Sequence, residues 1–443
     1  MSVEALATEI DRYLQRLFPI TRSITGEGNR ETFRVLQEIF PLEIIEYPSG
    51  TTVYDWVVPD EWIIRDAYIK DPDGRRLVDF FDCNLHVVAY STSVHQQLTF
   101  NELAPRLHVL LGNSHAVPYR TSYYNRNWGF CLTGAQYETL KNVSGLLEVC
   151  IDSDFNPKGT MTVGELRIAG ESEEEYLVST YCCHPAMAND NLSGLLTAAF
   201  LARDLLDEST LRRSWRFIFV PETIGAIAYL HHNETAMKKI RGGLVATTCG
   251  GPGLPGYKET FLGNHLVDRA IRLAFRDRGI QPVHYPFVPD GSDERQYSSP
   301  GFRIPTATIT RDKYYEYPQY HTSLDNLDFV NGSQIVESLS LYRDTVQILD
   351  QNTRYRSTAP YGEPQLGRRG LYPETGGGVN QVGASGDGRQ TKQALDAITW
   401  LVFMADGEHD LLAIAERSAI PFAALLQAAE SLIACGLLVQ VLY

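Results

Sequence analysis

Apolar segments of two different periods alternate along the middle of the chain, and this alternation constrains the fold more than any other feature. Short, continuous apolar runs are typical of buried strands, and longer runs with apolar residues every three or four positions are typical of helices. They occur in the order EYLVSTYCC, LLTAAFLARDLL, WRFIFVP, AIAYLHH and GGLVATTC. Strands that alternate with helices predict an α/β fold with a mixed, mostly parallel sheet flanked by helices. Such sheets bind ligands at the carboxyl ends of their strands.

The rest of the chain predicts further domains, as its 443 residues also do, because a single core stops growing at roughly 300. Residues 44–140 contain short β-branched and aromatic runs separated by turn signals such as DPDG, which predicts a β-rich inserted domain. Residues 356–390 are rich in glycine and proline and predict an extended linker. Residues 391–443 show three helical patterns and a terminal apolar run, as expected for a winged helix. Residues 1–43 and 141–355 then form the α/β core.

The net charge of −15 argues against nucleic acid or an anionic membrane as a partner, because both are negatively charged. The predicted winged helix carries two basic and six acidic residues, whereas a DNA reader needs cations. Its surface is better suited to packing on the catalytic domain, on another copy of the chain in a homo-oligomer, or on a protein partner. The seven cysteines are an odd number without a CxxC pair, and the start of the chain does not resemble a signal peptide, so a cytoplasmic location is expected.

Four residues suited to metal binding or acid–base chemistry follow predicted strands. His184 follows EYLVSTYCC and precedes Pro185, which ends the strand. Asp190 precedes an apolar helix, where free amides favour a carboxylate. Taken alone, this pair is explained by a strand-end histidine and a helix-capping aspartate. However, Glu222 in PETIG follows the next strand, and His321 follows the later strand TATIT. All four residues therefore lie just after strand ends of one predicted sheet.

Two imidazoles and one carboxylate, with a fourth position open to water, are the ligands of a catalytic zinc ion. Zinc lowers the pKa of a bound water to about 7. Glu222 is then expected to take a proton from that water and deliver it to a leaving amine, unless it is a ligand or a salt-bridged residue at a helix start. This chemistry suits the hydrolysis of an amide bond.

The segments HPAMANDNLSG, PETIG and YHTSLDN resemble, in order and spacing, the motifs of M28-type zinc aminopeptidases. The segments YRTSYYNRNWGFCLT, MANDNLSG and GEPQLGRRGLYP resemble more specifically the bacterial aminopeptidase-like proteins of the DUF4910 type. Those proteins carry an inserted DUF2172 β domain and a C-terminal winged helix, and the likeness covers nearly the whole chain. The resemblance implies a zinc-peptidase-like core in which His184, Asp190 and His321 bind the metal and Glu222 is the general base.

The sequence departs from the two-metal peptidases at acidic positions. Thr223 replaces a second glutamate after the base, Ala186 replaces an aspartate after the first histidine, and TTCGG (247–251) replaces a further aspartate ligand. Two of these three replacements remove ligands of a metal pair, and one zinc ion per chain is therefore expected. Cys249 could replace the lost aspartate as a thiolate ligand, although simple packing at a strand end explains it better.

Two other segments offer candidate substrate contacts. Asp293 and Arg295 lie in the polar stretch DGSDERQYSSPGFRIP, which the resemblance places near the pocket and which alternatively forms a solvated loop with an internal ion pair. Arg120 and Arg126 lie in YRTSYYNRNWGF, where a bidentate clamp on a substrate carboxylate would give carboxypeptidase-like specificity. Alternatively, these arginines stack on aromatic rings at a domain interface.

The sequence thus predicts a zinc hydrolase that cleaves an amide bond of a small peptide-like substrate, in the manner of an aminopeptidase-like exopeptidase. A deacylase of an N-acyl metabolite or sugar is an alternative, because the same chemistry cleaves either amide. A non-catalytic scaffold with a residual metal site is a second alternative, which the missing ligands suggest.

Overall fold

A computed structural model describes residues 2–371 and 388–441. The helices are α1 (Val3–Leu17), α2 (Glu27–Leu36), α3 (Phe100–Leu103), α4 (Gly134–Lys141), α5 (Gly194–Asp207), α6 (Ile224–His232), α7 (Glu234–Met237), α8 (Leu266–Asp277), α9 (Glu294–Tyr297), α10 (Gly332–Gln351), α11 (Gly388–Met404), α12 (Leu411–Ser418) and α13 (Phe422–Ala434). Short 3-10 turns occur at Asn84–His86, Ala104–Arg106 and Gly367–Arg369, and a π-helical turn occurs at Ala188–Ser193.

The strands vary in length from two to ten residues. They are β1 (Glu43–Pro48), β2 (Thr52–Val53), β3 (Trp56–Val57), β4 (Glu61–Lys70), β5 (Arg76–Asp79), β6 (Val94–Leu98), β7 (Leu107–His108), β8 (Phe130–Cys131), β9 (Leu147–Asn156), β10 (Thr160–Ile168), β11 (Glu175–Tyr181), β12 (Ser214–Val220), β13 (Ile240–Ala246), β14 (Pro255–Lys258), β15 (Val283–Tyr285), β16 (Thr306–Arg311), β17 (Arg354–Ser357), β18 (Asp406–Asp410) and β19 (Leu438–Val441).

An eight-stranded sheet in the order β1-β10-β12-β11-β13-β16-β14-β15 forms the centre of the α/β core. The neighbours β12, β11, β13 and β16 are parallel, whereas β1, β10 and β14 each join the sheet by antiparallel pairing. The parallel strands β11, β12 and β16 are buried along nearly their whole length. Burial on both faces explains why β11 and β12 contain consecutive apolar residues, such as Leu177 and Val178 or Phe217–Val220, rather than a strict alternation. The predicted α/β class with a mixed sheet is confirmed.

Helix α5 connects β11 to β12 and is buried on most of its surface, including Phe200 and Leu201. The helix begins at Gly194, close to the carboxyl end of β13. A Cβ atom added to Gly194 would lie 2.3 Å from the carbonyl oxygen of Ala246. Glycine therefore lets the start of α5, and the turn before it, lie against the end of the sheet.

The β-rich segment contains a four-stranded antiparallel sheet, β5-β4-β9-β6, and the small pairs β2-β3 and β7-β8. Its strands do not follow the expected boundaries at 44 and 140. Strand β1, expected in the insert, is an edge strand of the large sheet, and β9, expected in the core, lies inside the four-stranded sheet. The alternation of a strand shows which face is buried but does not identify the strand with which it pairs.

The chain divides into two compact units, Met1–His265 with Pro282–Tyr342, and Leu266–Gln281 with Arg343–Tyr443. The second unit contains α8, α11, α12, α13 and a three-stranded sheet in the order β18-β17-β19. Strand β17 pairs with both other strands of this sheet. Its last two residues belong to the segment that was predicted to be an extended linker. Residues 372–387 of that predicted linker lie outside the described residues. Across residues 2–371 and 388–441, no helix has the length and apolar character needed to cross a bilayer.

Candidate metal centre

The candidate centre lies at the carboxyl ends of the parallel strands. Tyr181 at the end of β11 pairs with Val220 at the end of β12, so the loops after both strands begin side by side. His184 lies in the first of these loops and Glu222 in the second. The loop after β16 brings His321 to the same place, where its ring centroid lies 5.3 Å from that of His184.

Three predicted ligands meet at one point. The Nε2 atom of His321 lies 3.0 Å from Oδ2 of Asp190, and Nε2 of His184 lies 4.0 Å from the same oxygen. Despite their proximity, neither Oδ2 of Asp190 nor Nε2 of His321 has an aligned hydrogen-bond partner among the described residues, and both atoms are buried. Buried polar atoms are normally paired. Two imidazoles and a carboxylate whose free atoms converge in this way fit a divalent metal ion such as zinc.

The backbone around Asp190 is fixed by Asp325, which the sequence motif YHTSLDN contains but which the sequence analysis did not single out. The carboxylate of Asp325 accepts hydrogen bonds from the amide of Asn189 at 2.6 Å, the amide of Asp190 at 2.9 Å and the hydroxyl of Tyr317 at 3.0 Å. The other oxygen of Asp190 accepts a hydrogen bond from Tyr181. Asp190 lies in the π-helical turn before α5, rather than at the helix terminus itself.

The surroundings favour the protonation states of metal ligands. Burial lowers the pKa of His184 to about 4, although the neighbouring Asp190 opposes this shift, so the imidazole is neutral at pH 7. Burial acts to raise the pKa of Asp190, but the imidazoles of His184 and His321 and the Tyr181 hydroxyl together lower it to about 2. A neutral imidazole and an ionised carboxylate are the forms that bind a metal.

Glu222 lies beside the three ligands, with its Oε2 atom 3.9 Å from Nε2 of His184. Burial, followed by the nearby Asp293 and Asp190 carboxylates, raises the pKa of Glu222 well above its ordinary value. Its backbone amide donates a hydrogen bond to Sγ of Cys183 at 3.2 Å. Cys183, His184 and Glu222 form a second group whose ligand atoms lie close together, and it shares His184 with the first.

Asp293 and Arg295 reach the loop that carries Glu222. Thr223 has a φ of 66°, which is strained for a β-branched residue, and its amide donates to Oδ1 of Asp293 at 2.8 Å. Arg295 donates from Nη2 to the Thr223 hydroxyl at 3.1 Å. Burial raises the pKa of Asp293 to about 7. The alternative of a solvated loop does not describe Asp293, which is only 1% exposed.

Arg120 and Arg126, predicted as substrate contacts, interact with residues other than the candidate metal ligands. Arg120 lies 3.3 Å from Nδ1 of His108, and Arg126 contacts the carboxylate of Asp60 while its guanidinium lies 3.7 Å from the centroid of the Phe155 ring. The stacking alternative therefore describes Arg126. The residue of this segment that reaches the metal centre is Tyr119, whose ring centroid is 5.2 Å from those of both candidate histidine ligands. The sequence predicted the two arginines of this segment as substrate contacts, and no sequence signal distinguishes Tyr119 from the neighbouring aromatic residues.

Cys249 is fully buried, and its thiol lies 3.5 Å from the carbonyl oxygen of Thr247. Within residues 2–371 and 388–441 it belongs to neither group of converging ligand atoms. The hydroxyl of Tyr181 lies 2.7 Å from the hydroxyl of Thr247, in the segment TTCGG that contains Cys249. The number of ions, one or two, stays a prediction.

The fold is similar to that of zinc aminopeptidases. BSAP, a zinc aminopeptidase from Bacillus subtilis, superposes with a TM-score of 0.57 over 79% of this chain and 95% of that chain. The identity is 14%, so this likeness shows the fold alone. Residues 11–352 match the family model described as domain of unknown function DUF4910, and residues 353–440 match the winged helix-turn-helix model HTH_47. The chain belongs to the DUF4910 family.

Two similar proteins come from Clostridium acetobutylicum. One, named "Putative polysaccharide biosynthesis protein with aminopeptidase-like domain", is 42% identical over 426 residues, which cover 96% of this chain and 94% of that protein. The other, a crystal structure of a "putative peptidase", has a TM-score of 0.90 at 40% identity and covers 99% of this chain and 97% of that chain. The expected winged helix is confirmed. The match to DUF4910 runs across the insert, and a separate DUF2172 domain stays a prediction.

Proposed function

We propose that this protein is a metal-dependent hydrolase that cleaves an amide bond of a small peptide-like substrate, as an aminopeptidase-like exopeptidase with one zinc ion per chain. The observation that supports it best is the convergence of His184, Asp190 and His321, where two buried ligand atoms have no aligned hydrogen-bond partner among the described residues. The fold of a zinc aminopeptidase adds to this support. Zinc, when bound by these three residues, supplies Lewis acidity that polarises a carbonyl and makes a water more acidic.

Glu222 would move the proton in this reaction. Its carboxylate takes a proton from the attacking water and passes it to the nitrogen of the leaving amine, as one general base and acid. Asp293 and Arg295 would contact the polar part of the substrate, because Oδ2 of Asp293 and Nε of Arg295 are buried without a hydrogen-bond partner among the described residues.

A deacylase of an N-acyl sugar is the second candidate function. The name of the 42%-identical clostridial protein refers to polysaccharide biosynthesis, and the same residues would cleave an N-acyl amide. A screen of aminoacyl and N-acetyl substrates separates the two functions, since a peptidase releases an amino acid and a deacylase releases a carboxylic acid from a sugar amine.

Metal content and turnover test the proposal together. We expect elemental analysis to find about one zinc ion per chain in the wild type and almost none in His184→Ala or His321→Ala. Glu222→Gln should keep the metal while turnover falls by about 100- to 10,000-fold, because the proton acceptor is lost. His95→Ala, a change at an exposed histidine that lies in β6, should alter neither quantity.

Retention of metal by His184→Ala and His321→Ala would reject the ligand set. Full activity of Glu222→Gln would reject its role as base. A wild type that binds zinc and hydrolyses no amide in the screen would instead support the scaffold alternative.

A further inference from the structure

A segment of the inserted β-rich region is bound to the loop that carries His321. The amide of Val117 donates to the Ser323 hydroxyl at 3.0 Å, and the amide of Ser323 donates to the carbonyl of Val117 at 2.9 Å. The amide of Tyr119 donates to the carbonyl of His321 itself at 2.8 Å. These hydrogen bonds fix Tyr119 relative to a candidate metal ligand, although the two residues are far apart in sequence.

The side chain of Tyr119 forms a wall of the site. Its ring lies across that of His184 at an angle of 52° and is perpendicular to that of His321, and the residue is only 9% exposed. Its hydroxyl has one partner among the described residues, the hydroxyl of Tyr123 at 3.0 Å. A tyrosine hydroxyl can donate one hydrogen bond and accept others. When Tyr123 donates to Tyr119, the proton of Tyr119 remains free for another acceptor.

We propose that Tyr119 is a catalytic residue of the insert, whose hydroxyl donates a hydrogen bond to the carbonyl oxygen of the scissile amide as negative charge develops there. Tyr123 is a positioning residue that directs the Tyr119 proton toward the substrate. This inference rests on the proposed function. A fixed donor in a site from which water is largely excluded stabilises the developing charge without reorganisation. The insert therefore completes the reaction centre of the core.

Single hydroxyl deletions test this role, because Tyr→Phe keeps the ring and its packing. We expect Tyr119→Phe to lower kcat by about 100-fold or more, with KM changed much less, since the bond forms as charge develops. Tyr123→Phe should lower kcat by about tenfold, because the Tyr119 hydroxyl loses its orientation. Tyr124→Phe is the matched control: its hydroxyl bonds the carbonyl of Val57, and its kcat should equal that of the wild type.

Zinc content and thermal unfolding are measured on each variant. A Tyr119→Phe protein with the kcat of the wild type overturns the assignment while leaving the hydrolase proposal intact. Loss of zinc or of thermal stability in Tyr119→Phe also overturns it, because the hydroxyl would then serve the structure. A wild type without amide hydrolysis rejects the proposed function and this inference together, whereas an inactive Glu222→Gln beside a fully active Tyr119→Phe rejects only the latter.

Discussion

The two loops beside the candidate ligands differ in how fully their buried polar groups are paired. In one loop, Asp325 uses its carboxylate to accept two backbone amides and a tyrosine hydroxyl around Asp190. In the other loop, four consecutive residues each leave one buried polar atom without a partner among the described residues; they are Ser292, Asp293, Glu294 and Arg295. The difference indicates a rigid support for an ion at the first loop and room for a polar ligand at the second.

The difference in pairing matters because a buried polar atom without a hydrogen bond carries a free-energy cost. A buried polar atom without a hydrogen bond destabilises a protein by about 1–3 kcal/mol. Four such atoms in one short stretch are hard to reconcile with a purely structural loop. A substrate or ordered water that supplies the missing hydrogen bonds would remove this cost. Substitutions at one aspartate from each loop test the comparison directly.

Asp325→Asn should have the largest effect. An amide nitrogen would replace one carboxylate oxygen and place a donor against the amides of Asn189 or Asp190, or against Tyr317. We expect the free energy of unfolding of the metal-free protein to fall by about 1–3 kcal/mol in urea titrations. Zinc affinity should fall by about 10- to 100-fold in a chelator competition, because the support of a ligand is disturbed.

The control is Asp328→Asn, a change at an exposed residue of the same loop. It should leave stability and zinc affinity unchanged. If the two variants behave alike, the hydrogen bonds of Asp325 do not position Asp190, and the proposed rigid support does not exist.

The sequence predicted the strands that position the centre better than it predicted the contacts within it. Strands β11 and β12 contain consecutive apolar residues, so the loops that carry His184 and Glu222 could be identified and placed at one edge of a sheet. Asp325 and Tyr119 could not be assigned in this way. Each acts on a residue far along the chain, and the loops that bring such residues together have no periodicity.

Asp293→Asn should have a smaller effect on stability than Asp325→Asn. The amide oxygen of asparagine can still accept the hydrogen bond from Thr223, and the Oδ2 atom has no hydrogen bond to lose among the described residues. We expect a change of less than about 1 kcal/mol in the free energy of unfolding at pH 7. If Asp293 contacts the substrate, kcat/KM should fall by about tenfold, which corresponds to one lost hydrogen bond of about 1.4 kcal/mol.

The same variant has a defined pH dependence. Burial raises the pKa of Asp293 from an ordinary 3.8 to about 7, so the folded protein binds a proton more tightly than the unfolded chain. The contribution of Asp293 to stability is therefore present at low pH and decreases as the pH rises from about 4 to 7. The unfolding free energy of Asp293→Asn should decline less over this interval than that of the wild type. A steeper decline, or a loss of stability equal to that of Asp325→Asn, would contradict the difference between the two loops.

Cys249→Ala should have the smallest effect on the centre. The thiol is buried near the carbonyl of Thr247 and has no place in the converging ligand groups of the described residues, so we expect zinc content to stay at about one ion per chain. The lost packing should cost only about 1 kcal/mol of unfolding free energy. Cys183→Ala is the informative partner variant, because its Sγ atom lies 3.4 Å from Nδ1 of His184. Two zinc ions in the wild type and one in Cys249→Ala would place a second ion at the strand end, whereas loss of an ion only in Cys183→Ala would place it beside Glu222.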